Sequence, residues 1–110
     1  MVAQVTLADI DLVRTSLEAV TDLYRESVVP SLQEEPGYCG VYGLATPEGK
    51  AMVITFWETE EDARRHITSG VYDEQVQKFV TFYRAIPGRE SYQVMIADMP
   101  VADMPEVTTG

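Results

Sequence analysis

His66 is the only histidine among 110 residues. It is the side chain best suited to moving protons near neutrality, because an unperturbed imidazole titrates at about 6.5. Its helical phase places it beside Ala63 and Ile67, on the side that should turn towards a sheet. No second residue at a telling spacing completes a dyad, so a helix-edge histidine bonded to backbone or water stands beside the acid–base reading. Six tyrosines and one tryptophan are the other unusual supply. Tyr38 and Tyr42, four apart on one strand, share a face. Tyr72 and Tyr83 fall on a later helix, so several rings can converge on a cleft where an aromatic ligand stacks. Core packing accounts equally well for these rows of rings, and Trp57 in particular reads as a structural anchor at the sheet edge.

Other chemistries find little support. Glu58, Glu60, Glu61 and Asp62 spread around the start of a helix, where negative charge offsets the positive end of the dipole, and this outweighs a hard-cation reading. Arg64 and Arg65 flank His66 and suit either an anionic ligand or a solvated helix surface beside Glu60 and Glu61. The chain lacks a glycine-rich phosphate loop, a nucleophile elbow and a metal-binding histidine pair, so neither metal nor cofactor is expected. The single cysteine, Cys39, excludes a disulfide framework and reads as a small buried strand residue.

The length fits one domain with one core, near the size where oligomerisation is a useful source of buried area. A formal net charge of −10, from 18 acidic and 8 basic residues, argues against nucleic acid and anionic lipid as partners. The N-terminus lacks a signal-peptide pattern, and no apolar run approaches the ~20 residues that span a bilayer, so a cytoplasmic setting is expected.

The elements that must position these residues follow from periodicity. Val2 to Leu7 reads as a short strand rich in β-branched residues. Asp9 and Asp11 offer N-caps to a helix whose apolar face is Val13, Leu17, Val20, Tyr24, Val28 and Leu32. Pro30 removes the bond to the carbonyl of Glu26 and should bend or divide that helix, which ends before Pro36-Gly37. Tyr38–Leu44 and Ala51–Glu58 form an antiparallel hairpin across Thr46-Pro47-Glu48-Gly49-Lys50. Thr59 and Asp62 make a capping box for the helix that carries His66. Ser69-Gly70 interrupts it, and a further helix begins near Tyr72 with Val76, Phe79, Val80 and Tyr83 as its stripe. After Pro87-Gly88, Ser91–Asp98 alternates as a last strand.

This order is the split β-α-β arrangement of a ferredoxin-like α+β domain over residues 1–98, an antiparallel sheet with helices on one face. Met52, Ile54 and Phe56 alternate with Val53, Thr55 and Trp57, so both sheet faces are largely apolar and the second needs a cover. A second copy supplies it, giving a homodimer through sheet faces. Residues 99–110 form an acidic, proline-containing C-terminal tail, either mobile or an arm across the partner subunit with Met99, Val101 and Met104 as anchors.

Ser27-Val28-Val29-Pro30-Ser31-Leu32, Pro36-Gly37-Tyr38 and Phe56-Trp57-Glu58-Thr59-Glu60-Glu61-Asp62-Ala63, with this element order, resemble the antibiotic biosynthesis monooxygenase-like family from roughly Val2 to Asp98. The resemblance implies a dimeric α/β barrel. Members include cofactor-independent oxygenases acting on aromatic polyketides, haem-degrading enzymes, quinol-type oxygenases and proteins without known activity. The tryptophan and histidine positions of haem-degrading members fall near His66 and Val76, and their first-strand asparagine position near Gln4. Val76 cannot ligate iron, so haem degradation ranks below the other readings.

An oxygenase of an electron-rich phenol needs an apolar pocket, a base to form the phenolate and donors to hold it. His66 is the candidate catalytic residue, and Gln4, Tyr42, Tyr72 and Tyr83 are the candidate ligand pocket. The expected function is a cofactor-independent monooxygenase acting on an aromatic or quinol-like small molecule. A non-catalytic small-molecule-binding or structural dimeric module of the same fold is the alternative.

Overall fold

A computed structural model describes residues 1–84 and 88–99. Four strands, β1 (Val2–Asp9), β2 (Tyr38–Ala45), β3 (Lys50–Trp57) and β4 (Gly88–Gln93), form one antiparallel sheet in the order β2-β3-β1-β4. Helices α1 (Leu17–Leu23) and α2 (Val29–Gln33) connect β1 to β2, and α3 (Glu60–Thr68) and α4 (Val71–Gln77) follow β3. The chain is thus the expected ferredoxin-like α+β domain. Among the described residues no helix is long and apolar enough to cross a membrane.

Cross-strand pairing assigns the sheet faces. Val2 pairs with Trp57, Gln4 with Thr55 and Thr6 with Val53, and these residues face the helices. Val2, Val28, Leu32, Trp57, Ala63 and Phe79 form the core between sheet and helices. Trp57 is fully buried, and β3 is an inner strand, so the ring anchors the middle of the fold instead of the sheet edge. The opposite face carries Val5, Leu7, Tyr42, Met52, Ile54 and Phe56. Leu7 is 45% exposed and Leu44, on the same face, 52%.

Pro30 divides the first helical connection. Between α1 and α2 the turns widen into a π-helical segment, Tyr24–Val28, in which the Val29 amide donates to the Tyr24 carbonyl. The helix starts later than the aspartates suggest. Asp11 caps a turn, accepting from the Val13 amide at 3.0 Å, and Ser16 is the true N-cap, accepting from the Ala19 amide at 3.0 Å. At α3 the expected cap forms: the Thr59 hydroxyl oxygen accepts from the Asp62 amide at 3.1 Å, but the Asp62 carboxylate accepts from the same hydroxyl at 2.8 Å. The last helix is shorter than its apolar stripe implies. It ends at Gln77, a 3₁₀ turn covers Val80–Phe82, and Tyr83 follows in extended backbone that bridges to Ile10.

Two strand features differ from expectation. The last strand lies at Gly88–Gln93, because pairing needs a partner and β1 begins at Val2, opposite Gln93. The apolar residues Met95 and Ile96 lie past that end and are each 86% exposed. In β2 a bulge shifts the register between Tyr38, opposite Trp57, and Gly40, opposite Phe56. Cys39 is the extra residue and is exposed, contrary to the buried position its type suggests. Pro87 and all of the tail but Met99 lie outside the described residues.

Candidate functional site

Thr59 starts α3 so that Ala63 and His66, one turn apart, both turn inward, each 3% exposed. His66 rests on the Trp57 indole, ring centroids 4.8 Å apart and 32° between planes. Gly70, with a φ of 89°, reverses the chain between α3 and α4. That left-handed turn returns Tyr72 to the other side of the imidazole, 6.0 Å away and nearly perpendicular at 82°. Nδ1 of His66 lies 2.9 Å from a carboxylate oxygen of Glu35, which lies in the connection between α2 and β2.

This pair is the functional feature that spacing could not disclose, since 31 residues separate its members. Glu35 accepts through its carboxylate, so Nδ1 carries the hydrogen directed at it and Nε2 is the ring position left to exchange a proton. The imidazole is thereby fixed by two rings and one carboxylate. Trp57 is held in turn, its indole N–H donating to the Thr55 hydroxyl at 3.0 Å.

His66 lines a cavity of about 40 Å³ between sheet and helices, together with Thr6, Val53, Thr55, Gln75, Val76, Phe79 and the rings of Tyr24, Tyr72 and Tyr83. The Tyr72 hydroxyl is within 2.9 Å of the Thr6 hydroxyl, and Arg89 sits over the Tyr72 ring, 5.2 Å from its centroid. Tyr83 stacks on Phe79 at 6.3 Å. Burial pushes its phenol up to about 12, with Tyr72 adding to the effect, and burial raises Tyr24 further still. Both therefore present neutral O–H groups near neutrality. Gln75 is 8% exposed, and its Nε2 has no hydrogen-bond partner among the described residues.

A second, larger cavity of about 260 Å³ opens between α1, the π-helical segment and the β2-β3 hairpin. Its wall is aliphatic, from Ile10, Leu17, Val20, Val29, Val41 and Ala51 among others, with Thr21 and Arg25 as polar members. Tyr24 and Val53 line both cavities, which are adjacent chambers of one cleft. The larger chamber lies near the lower end of the ~300–1,000 Å³ typical of small-molecule sites.

The structure therefore brings His66, Tyr72 and Tyr83 together. Gln4 is buried on the same sheet face, opposite Thr55, but lines neither chamber. Tyr42 is on the other face, paired with Ile54 and edge-on to Phe56 at 5.9 Å. The Cys39 bulge is the reason: it reverses the parity of β2, so Tyr38 packs against Trp57 inside while Tyr42 points away. Val76 stands in the smaller chamber's wall as an apolar residue, and Gln75 is the chamber member that sequence reasoning missed. Arg64 pairs with Glu60, and Arg65 with Glu61 and Asp62, on the solvent side of α3. Among the described residues no group of three or more histidine, cysteine or acidic side chains is arranged to hold a metal.

A four-stranded antiparallel sheet with helices on one face defines a ferredoxin-like α+β fold. Within that class the chain belongs to the antibiotic biosynthesis monooxygenase family, whose sequence model matches residues 5–81. No curated protein matches it by sequence. Among solved structures, a protein of unknown function from Nitrosomonas europaea superposes with a TM-score of 0.70 at 16% identity, covering 90% of this chain and 93% of that one. A cofactor-independent oxygenase from Streptomyces nogalater gives 0.69 at 10% identity over 87% and 94% of the two chains. A monooxygenase from Streptomyces coelicolor, solved with the ligand nanaomycin D, gives 0.68 at 17% identity over 90% and 91%. At these identities the likeness is one of fold.

Proposed function

We propose that this protein is a cofactor-independent monooxygenase that oxidises an aromatic or quinol-like small molecule in the cleft between sheet and helices. The observation that carries the reading is the buried His66 imidazole at the cleft wall, bonded from behind to the partly buried Glu35 carboxylate. A base held in one tautomer and backed by a carboxylate is what proton abstraction from a phenol or an activated ring carbon requires. The aromatic body occupies the larger chamber, and its reacting edge meets the smaller one at the partition formed by Tyr24 and Val53.

The chemistry balances without a further reductant. His66 Nε2 takes a proton from the activated R₂CH₂ carbon, and the resulting carbanion gives one electron to dioxygen. The carbon radical and superoxide combine to form a C–O bond. Protonation by the imidazolium gives R₂CH–OOH, which loses water as the O–O bond breaks, leaving R₂C=O. One oxygen atom enters the product and the other leaves as water, with all four electrons supplied by the substrate carbon.

The assembly proposed for this activity is a homodimer in a cytoplasmic setting, formed through the sheet face that the helices leave uncovered. Val5, Ile54 and Phe56 on that face have no covering element among the described residues. A contiguous apolar surface of this kind is costly in water and is satisfied by an identical face.

One observation favours the non-catalytic alternative. The space around His66 is small, and Tyr72 is tied to Thr6 within it. Oxygen uptake separates the two readings. A panel of quinols and anthrone-like phenols should stimulate dioxygen consumption by the wild type, and His66→Ala should abolish most of it. A wild type inert towards the whole panel favours the binding module.

A further inference from the structure

The smaller chamber contains a group for which the described residues provide no partner. Gln75 sits on α4 with 8% of its surface exposed, and its amide nitrogen is buried without an acceptor. An unmade hydrogen bond of that kind is destabilising, and replacing the side chain with an apolar one of similar shape would remove the cost. Its retention has a ready explanation if an acceptor enters the chamber during the reaction.

The chamber's size restricts what that acceptor can be. About 40 Å³ is far too little for an aromatic ring system but ample for a diatomic or a few-atom species. Its other polar walls are the Tyr83 phenol, which burial holds protonated, the Thr6 and Tyr72 hydroxyls bonded to each other, and the His66 imidazole. Apolar contacts from Val53, Val76 and Phe79 complete the wall. Such a site accepts an uncharged apolar molecule and offers fixed N–H and O–H dipoles once negative charge develops on it.

We propose that the smaller chamber is the dioxygen site and that the Gln75 amide donates to the reduced oxygen, superoxide and then peroxide, as charge transfers from substrate in the larger chamber. This assignment rests on the monooxygenase reading. The electron comes from the deprotonated substrate carbon, the C–O bond forms where the two chambers meet beside Tyr24 and Val53, and the peroxide proton returns from His66. Gln75 moves no proton; its N–H lowers the energy of an anionic oxygen that exists only after electron transfer.

The test is steady-state oxygen uptake, with dioxygen and the phenolic substrate varied separately, for wild type, Gln75→Leu and Gln75→Glu. Gln75→Leu should melt no lower than wild type, and its kcat/KM for dioxygen should fall about 10²-fold or more while KM for the phenol stays unchanged. Gln75→Glu, which places an acceptor where the donor was, should lower the same constant at least as far. Wild-type oxygen dependence in either variant would overturn the assignment. A Gln75→Leu protein melting well below wild type would show the amide satisfied by a structural water, and would overturn it too. If wild type consumes no oxygen with any substrate, the monooxygenase reading itself falls and takes this assignment with it. Uptake that survives substitution removes only Gln75.

Discussion

The Glu35–His66 contact at 2.9 Å is the basis for proposing His66 as a directed base, and the consequences of that proposal are testable one side chain at a time. His66→Ala removes the base and should lower kcat for oxygen uptake by about 10²–10⁴-fold. Glu35→Gln keeps the size of the side chain but replaces a pure acceptor with an amide that can present either group. It permits the wrong tautomer, so kcat should fall by between about 10-fold and 10⁴-fold while substrate KM holds. Unchanged kcat would remove Glu35 from the site. The buried phenols make a separate prediction. The Tyr83 pKa rises from 10.0 to about 12 on folding, so its contribution to stability is complete below pH 10 and is lost as pH climbs through 12. Over that window the unfolded chain ionises while the folded phenol stays neutral. Thermal melts between about pH 9 and pH 12 should show a decline that Tyr83→Phe makes shallower. An identical decline in the variant would show that this phenol does not carry the effect.

At the scale of elements, the site depends on how the chain is held at its turns and on its inner strand. Trp57 has no exposed surface and supports the imidazole directly, so Trp57→Ala should cost about 3–5 kcal/mol in denaturant unfolding and release His66 as well. The hairpin turn carries a tighter constraint. Gly49 has a φ of +99°, and a Cβ there would lie 2.6 Å from the Ile10 carbonyl oxygen, a backbone atom. Gly49→Ala should therefore destabilise by about 1–3 kcal/mol, and an unchanged midpoint would contradict the close approach of the turn to the end of β1. These elements also show where sequence is informative. Alternation reveals the hairpin, Pro30 marks the division of the first helix, and Thr59 with Asp62 locates α3, because each signal is local. The face of Tyr42 is not legible, because a one-residue bulge at Cys39 changes parity without changing composition. Nor is the end of the final strand, because its apolar alternation continues past the end of its partner. Glu35 and Gln75 are invisible for another reason: one is useful through a contact 31 residues away, and the other through a contact it lacks.

The whole molecule presents one sheet face to its helices, and the other, uncovered among the described residues, is the face proposed to meet a second copy. Placing a charge at the centre of the uncovered face by Ile54→Asp should yield monomers in sedimentation velocity where wild type sediments as a dimer. A monomeric wild type would remove the dimer. The fold alone does not distinguish catalyst from binding module, since a likeness at 10–17% identity transfers architecture and leaves the reaction to the site. What this chain adds is a carboxylate-backed imidazole in the wall of a two-chambered cleft. The most direct measurement of that claim is isotope incorporation under ¹⁸O₂ with an anthrone-like phenol, comparing wild type with His66→Ala. The account predicts one ¹⁸O atom in the product carbonyl, formed at a rate that collapses in the variant. Product lacking the label, or labelled product formed at the same rate by both proteins, would contradict it.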